Sequence, residues 1–102
     1  VSLIDKGYGF AISAITKYEL YSGATKSQIT FWDSILALIS VIPFDEGCVD
    51  TAVQINAVLK QKRKQIDLAD LFIAATAMTN NLPITTLNKK HFERIDGLNV
   101  VE

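Results

Sequence analysis

The chain has 102 residues, 49% of them hydrophobic, which is enough for one compact domain with a buried core and too few for two. Ten basic and eleven acidic residues give a net charge of −1, so the chain lacks the strong positive charge that is typical of nucleic-acid-binding proteins. Any contact with RNA is therefore expected to be local or mediated by a metal ion. One cysteine and one histidine exclude an internal disulfide and a zinc site, and no apolar run reaches the roughly 20 residues that span a bilayer, so we expect a cytoplasmic protein.

The first predicted elements are a helix end, a strand and a short helix. Residues 1–7 read as the end of a helix that Gly7 terminates, which suggests a truncated start. Residues 10–15 are apolar nearly throughout, which predicts a parallel strand buried on both faces. Thr16 and Glu19 have the spacing of a capping box and predict a short helix after it.

Two longer helices follow. Residues 27–42 carry apolar side chains at i, i+3, i+4 and i+7, which predicts an amphipathic helix that ends before Pro43, with a very short edge strand beside the proline. Residues 45–64 predict a second helix with a basic end that complements the helix dipole. Its expected buried side chains are Val49, Ala52, Val53, Val58 and Leu59.

The most regular helix is predicted over residues 66–80. Almost nothing charged follows Asp70, so this helix is expected to be buried on several sides. Its expected apolar stripe consists of Leu68, Leu71, Phe72, Ala75 and Thr79. A strand over 84–87, a helical turn over 89–94 and a last strand over 98–101 complete an α/β pattern with a mostly parallel sheet.

Oxygen-bearing side chains stand where open α/β sheets bind ligands, after strands and at helix starts. Glu19 follows the first strand, Asp67 and Asp70 open the most regular helix, and Asn88 follows the 84–87 strand. Mg²⁺ and Mn²⁺ prefer oxygen ligands, so carboxylates that converge from separate elements predict a site for such a cation.

The same residues also have purely structural interpretations. Glu19 would cap a helix with Thr16, Asp67 would be an N-cap, and Asn88 would be a turn residue, as in a small α/β protein without a metal. Asp70 is harder to explain in this way, because it is predicted to lie opposite the apolar stripe. The only histidine, at position 91, is expected to be a surface or capping residue.

The chain lacks the glycine-rich and nucleophile motifs of dinucleotide-binding proteins, P-loop proteins and serine hydrolases. Three segments in order instead resemble the PIN domain family, VapC toxins in particular: AISAITKYELYSGA at 11–24, IDLADLFIAATA at 66–77 and ITTLNKKHFERIDGL at 84–98. The resemblance covers the whole chain, 1–102, and implies one domain with a three-layer α/β/α fold and a mostly parallel sheet.

The resemblance also implies a metal-dependent ribonuclease with Mg²⁺ or Mn²⁺ as cofactor. Glu19, Asp70 and Asn88 match the family's metal-holding positions, Thr86 matches a residue that points into the same site, and Asp67 is a further candidate ligand. By the same resemblance the partners are an RNA substrate, a cognate antitoxin protein and a second copy of the chain, with the 27–42 helix on the dimer surface.

The family's remaining acid belongs to its first, central strand, in a motif like Leu-Asp-Thr-Asn, and nothing in this chain matches it. Asp5 is no substitute, because it is expected in a helix end. We therefore expect an N-terminally truncated domain whose first strand was lost, is a separate chain, or is swapped from a neighbour. A catalytically inactive PIN-like module that binds RNA or protein stays open as an alternative.

Overall fold

The computed structural model describes residues 2–101, which form a five-stranded sheet and five helices. The strands are β1 Leu3–Asp5, β2 Phe10–Ser13, β3 Ser40–Ile42, β4 Ile84–Thr85 and β5 Val100–Val101. The helices are α1 Ala14–Ser22, α2 Lys26–Leu36, α3 Glu46–Gln61, α4 Leu68–Thr79 and α5 Lys89–Phe92. Within this part of the chain no helix has the length and apolar character to cross a membrane.

The strand order is β3-β2-β1-β4-β5. β2 pairs in parallel with β3, and β4 in parallel with β5, while β1 runs antiparallel to both of its neighbours. The four outer strands thus point the same way, and the prediction of a mostly parallel sheet is confirmed. Ala11 and Ile12 are both buried although successive strand residues face opposite sides, so both faces of β2 are covered.

The predicted helix end over residues 1–7 is wrong, because Leu3–Asp5 is the middle strand of the sheet and Ile4 is fully buried. Gly7, with φ of +85°, belongs to the β1–β2 hairpin, where the Lys6 amide donates to the Gly9 carbonyl at 2.9 Å. The sequence was misinterpreted for two reasons. A glycine with positive φ occurs both after helices and in hairpin turns, and a strand of three residues is too short to show the alternation of buried and exposed side chains.

Asp5 lies in β1 and not in a helix end. Its carboxylate accepts from the Gly7 amide at 2.7 Å, and it pairs with Phe10 at the start of β2. Because β1 is antiparallel, Asp5 is at the edge of the sheet opposite to the carboxyl end of β2. Asp5 is thus excluded from a site at that carboxyl end, for a reason of topology.

Helix α1 begins at Ala14, so the predicted capping box of Thr16 and Glu19 is wrong. Ser13 is the N-cap, and its hydroxyl accepts from the Thr16 amide at 3.0 Å. Serine and threonine cap helices comparably, and the pairing of β2 with β3 ends the strand at Ser13. The Glu19 carboxylate is consequently free of a capping role.

Helix α2 ends at Leu36, earlier than the predicted 42. Residues 40–42 pair with β2 instead, which confirms the short edge strand. The pairing of Ser40–Ile42 with β2 overrides the helical periodicity that continues through this segment. At its start Thr25 and Gln28 form a complete capping box.

Helix α3 packs against α4 with a face shifted from the predicted one. Ala52 and Leu59 are buried as predicted, but Val49, Val53 and Val58 are exposed. The buried face is the i, i+4, i+7 and i+11 set Cys48, Ala52, Ile55 and Leu59. Apolar residues occupy two adjacent stripes of this helix, so periodicity alone did not fix which stripe is inside.

Helix α4 is buried on several sides, as predicted, although Leu68 at its start is 64% exposed. Ala74 and Ala77 are completely buried, and Ala77 packs with Ile4 and Ala11 of the sheet. Asp70 precedes these alanines by one and two turns on the same side of the helix, so it lies towards the sheet and not away from the core contact.

Candidate metal centre

The first turn of α4 brings two carboxylates together. Asp67 occupies the N-cap position but makes no side-chain capping bond, so its interpretation as a cap is wrong. Asp70 lies in the first turn, and its side chain is 16% exposed. The positive end of the helix dipole favours both negative charges at this position.

The segment after β4 supplies the side chains that face Asp70. Thr86 is buried, and its hydroxyl oxygen accepts from the Asn88 amide N–H at 3.1 Å and lies 3.0 Å from the Ser2 hydroxyl. These bonds fix the turn that leads from β4 to α5. Asn88 stands at the N-cap position of α5 without a side-chain capping bond, and its side-chain amide instead donates to Asp70 Oδ2 at 2.8 Å.

His91 completes this arrangement, so its interpretation as a surface or capping residue is wrong. Its Nδ1 lies 2.7 Å from Asp70 Oδ2 and 3.0 Å from the side-chain nitrogen of Asn88. Because a carboxylate only accepts, the tautomer with a proton on Nδ1 is the one that fits the contact with Asp70. The sequence contained one signal for this role: His91 follows Asn88 by three residues on a helical turn, so the two share a face.

These side chains form a donor set suited to a divalent cation. One ligand atom from each of Asp67, Asp70 and His91 lies within 4.8 Å of the other two. Asn88 adds an amide whose oxygen and nitrogen are distinguished only by the hydrogen bonds assigned to them, so a turn of the amide presents its oxygen instead. Two carboxylates and an amide oxygen are typical ligands of Mg²⁺ and Mn²⁺.

Glu19 is not among these gathered groups. It is exposed on α1, and its carboxylate makes no hydrogen bond or ion pair within residues 2–101. It follows the core-packed Ile15 by four residues and the buried Thr16 by three, which puts the base of its side chain on the buried side of α1, the helix that contacts α4. The role of Glu19 as a metal ligand stays a prediction.

A model of the PIN domain family matches residues 1–98 of the chain. "Ribonuclease VapC1" of Methanocaldococcus jannaschii is 39% identical over 88 residues, which cover 85% of this chain and 65% of that protein. "Ribonuclease VapC" of Rickettsia bellii is 41% identical over 75 residues, covering 72% of this chain and 54% of that protein. The chain therefore spans less than two thirds of the length of these two relatives.

The fold is also similar to a solved structure. That structure is described as "VapBC2 from Rickettsia felis bound to a DNA fragment from their promoter". The match has a TM-score of 0.83 at 31% sequence identity and covers 89% of this chain and 72% of that chain.

Proposed function

Because this chain belongs to the PIN domain family, we propose that it is an endoribonuclease that hydrolyses phosphodiester bonds in RNA with the help of Mg²⁺ or Mn²⁺. The observation that carries the proposal is the gathering of Asp67, Asp70 and the Asn88 amide at the start of α4. The names of the two relatives, both ribonucleases, support the reaction class.

In the proposed reaction each residue of the site has a separate role. A bound divalent cation supplies an activated water and stabilises the charge that develops on phosphorus. Asp67 and Asp70 hold that cation and reduce its net charge, while Asn88 offers an amide oxygen. Thr86 is a positioning residue, since its hydroxyl fixes the backbone of Asn88. With a net charge of −1 the chain attracts RNA phosphates chiefly at the cation.

One further acid belongs to the proposal. Glu19 is exposed on α1, the helix that contacts α4, and we propose that its carboxylate is a further ligand of the cation.

The test of the nuclease is Asp70→Asn. The change keeps the size of the side chain and removes the charge that holds the cation, so we expect cleavage of RNA in Mn²⁺ to fall by more than the roughly 10–100-fold that loss of an outer-shell partner costs. The matched control is Asp50→Asn, the same change at an exposed residue of α3. It should cleave like the parent protein.

Three results would contradict the proposal. Equal cleavage by Asp70→Asn would remove that residue from the site, and cleavage that persists in a chelator would refute metal dependence. No cleavage by the parent protein with either cation would favour the inactive PIN-like module that binds RNA or a protein.

We also propose that the enzyme is the toxin of a type II toxin–antitoxin pair and is bound by a cognate antitoxin protein. The support is its similarity in fold to a chain of the VapBC2 complex. Expression of the protein should arrest bacterial growth, and co-expression of the gene adjacent to its own should restore it. Unimpaired growth with active, cleavage-competent protein would contradict the toxin assignment.

A further inference from the structure

The three polar atoms around Asp70 have the spacing of ligands in one coordination sphere. Asp70 Oδ2, His91 Nδ1 and the Asn88 side-chain nitrogen are 2.7, 2.8 and 3.0 Å apart. Neighbouring ligands of an octahedral cation with bonds of about 2.1 Å lie about 3 Å from each other. With the Asn88 amide turned so that its oxygen takes the place of the nitrogen, the triangle matches one face of an octahedron, with His91 at one corner.

The histidine ring is held in this position by the fold. Its side chain is 27% exposed, and the next residue, Phe92, is fully buried in the core. Phe92 thus anchors α5 at the residue next to His91 in the sequence. A ring fixed in this way loses little conformational entropy when it binds a cation.

We propose that His91 is itself a ligand of the cation, through Nδ1, and that the centre is a mixed nitrogen–oxygen site which selects Co²⁺ over Mg²⁺. The inference rests on the proposed function only for the presence of a cation. Imidazole suits transition metals, whereas Mg²⁺ prefers oxygen ligands, so a nitrogen ligand shifts the selectivity. When it binds the cation, the neutral ring carries its proton on Nε2 and directs the Nδ1 lone pair to the metal.

The competing interpretation is that His91 only orients Asp70 by donating a hydrogen bond. An orienting partner would strengthen the binding of every cation alike, because its effect passes through a carboxylate that all of them use. A nitrogen ligand affects transition metals most. Cation selectivity therefore separates the two roles.

The experiment uses the intact protein, freed of metal with a chelator. Calorimetry measures the affinity for Mg²⁺, Mn²⁺ and Co²⁺, and pulsed electron paramagnetic resonance of the Mn²⁺ complex detects coupling to ¹⁴N. The variants are His91→Ala, which removes the nitrogen, and His91→Asp, which replaces it by oxygen. Lys90→Ala, an exposed neighbour on α5, is the control. Thermal denaturation without metal checks that each variant folds.

We expect ¹⁴N coupling in the parent protein and in Lys90→Ala and its loss in both His91 variants. His91→Ala should weaken Co²⁺ binding by more than the roughly 10–100-fold that loss of an outer-shell partner costs, and Mg²⁺ binding much less, while His91→Asp should restore Mg²⁺ binding but not the preference for Co²⁺. Bound Mn²⁺ without ¹⁴N coupling, or an equal loss for all three cations in His91→Ala, would overturn the inference.

RNA cleavage is measured in parallel, so that failure of the nuclease proposal can be distinguished from failure of the proposal that His91 is a ligand. Metal-dependent cleavage without ¹⁴N coupling would leave the nuclease and remove His91 from the coordination sphere. Coupling without cleavage would support His91 as a ligand and contradict the nuclease. No binding of any of the three cations would overturn both.

Discussion

At the level of single residues, the Asp45 carboxylate at the start of α3 makes the stability of the fold depend on pH. Its carboxylate accepts from the Cys48 amide at 3.1 Å, and the hydrogen bonds from the backbone lower the pKa of this carboxyl. A carboxyl whose pKa is lower in the folded protein stabilises the fold at pH values above its unfolded pKa. That stability is lost as the pH falls through the folded pKa.

The variant Asp45→Asn tests this coupling. Asparagine also caps helices but does not titrate, so the parent protein should be the more stable of the two at neutral pH. The difference between their urea midpoints should shrink to nothing, or reverse, once the pH is below the ordinary range of an aspartate, about 3.9. Midpoints that differ by the same amount at pH 7 and at pH 2.5 would contradict the assignment.

The site could be predicted residue by residue only where helix starts and strand ends marked it. Asp67, Asp70 and Asn88 were found in this way, and the structure brings them together. His91 was missed because its partner Asp70 is 21 positions away, and local sequence does not encode such a contact. The misplacement of the α1 cap came from a choice between Ser13 and Thr16, which only the pairing of β2 decides.

At the level of elements, the close approach of α4 to the sheet depends on small side chains. Ala77 is completely buried and packs with Ile4 and Ala11. Ala77→Val adds two methyl groups where the packing leaves no room, and overpacking of this kind costs about 1–3 kcal/mol. The control Ala57→Val makes the same change at an exposed position of α3 and should change stability far less.

Urea denaturation measures this effect, and the nuclease assay adds a second readout. Since Asp67 and Asp70 lie at the start of α4, a shift of the helix should also lower the rate at which the molecules that remain folded cleave RNA. Equal free energies of unfolding for Ala77→Val and Ala57→Val would show that α4 is not held tightly against the sheet.

The type of most elements could be predicted, while their ends and buried faces often could not. Periodicity predicted α2, α3 and α4, but the phase of α3 depended on which stripe α4 contacts. The end of α2 and the strand character of β1 depended on pairing with β2 and β4. Tertiary contacts of this kind override local preference, and a single short segment carries no sign of them.

At the level of the whole molecule, α2 presents an apolar surface to solvent. Phe31 and Ile35 stand at i and i+4 in α2, Leu38 lies in the turn that follows it, and the exposed fractions of the three are 56%, 37% and 89%. Exposed apolar patches mark interaction surfaces, and we propose that a second copy of the chain covers this one to form a homodimer.

Phe31→Glu should convert the dimer to a monomer, because a charge buried in the apolar interface would lack a partner. Sedimentation velocity measures the mass in solution. Thr30→Glu adds the same charge at the neighbouring exposed position and should leave the dimer intact. A parent protein that sediments as a monomer, or a Phe31→Glu dimer, would contradict this surface.

The central position of β1 sets when the domain can assemble during synthesis. Leu3–Asp5 comes before every other described element, yet one of its two neighbours, Ile84–Thr85, is translated only after α3 and α4. A nascent chain therefore holds an unpaired strand edge until β4 has left the ribosome, and closure of so long a loop slows folding. The proposed nuclease activity would consequently arise only after β4 has been synthesised and has paired with β1.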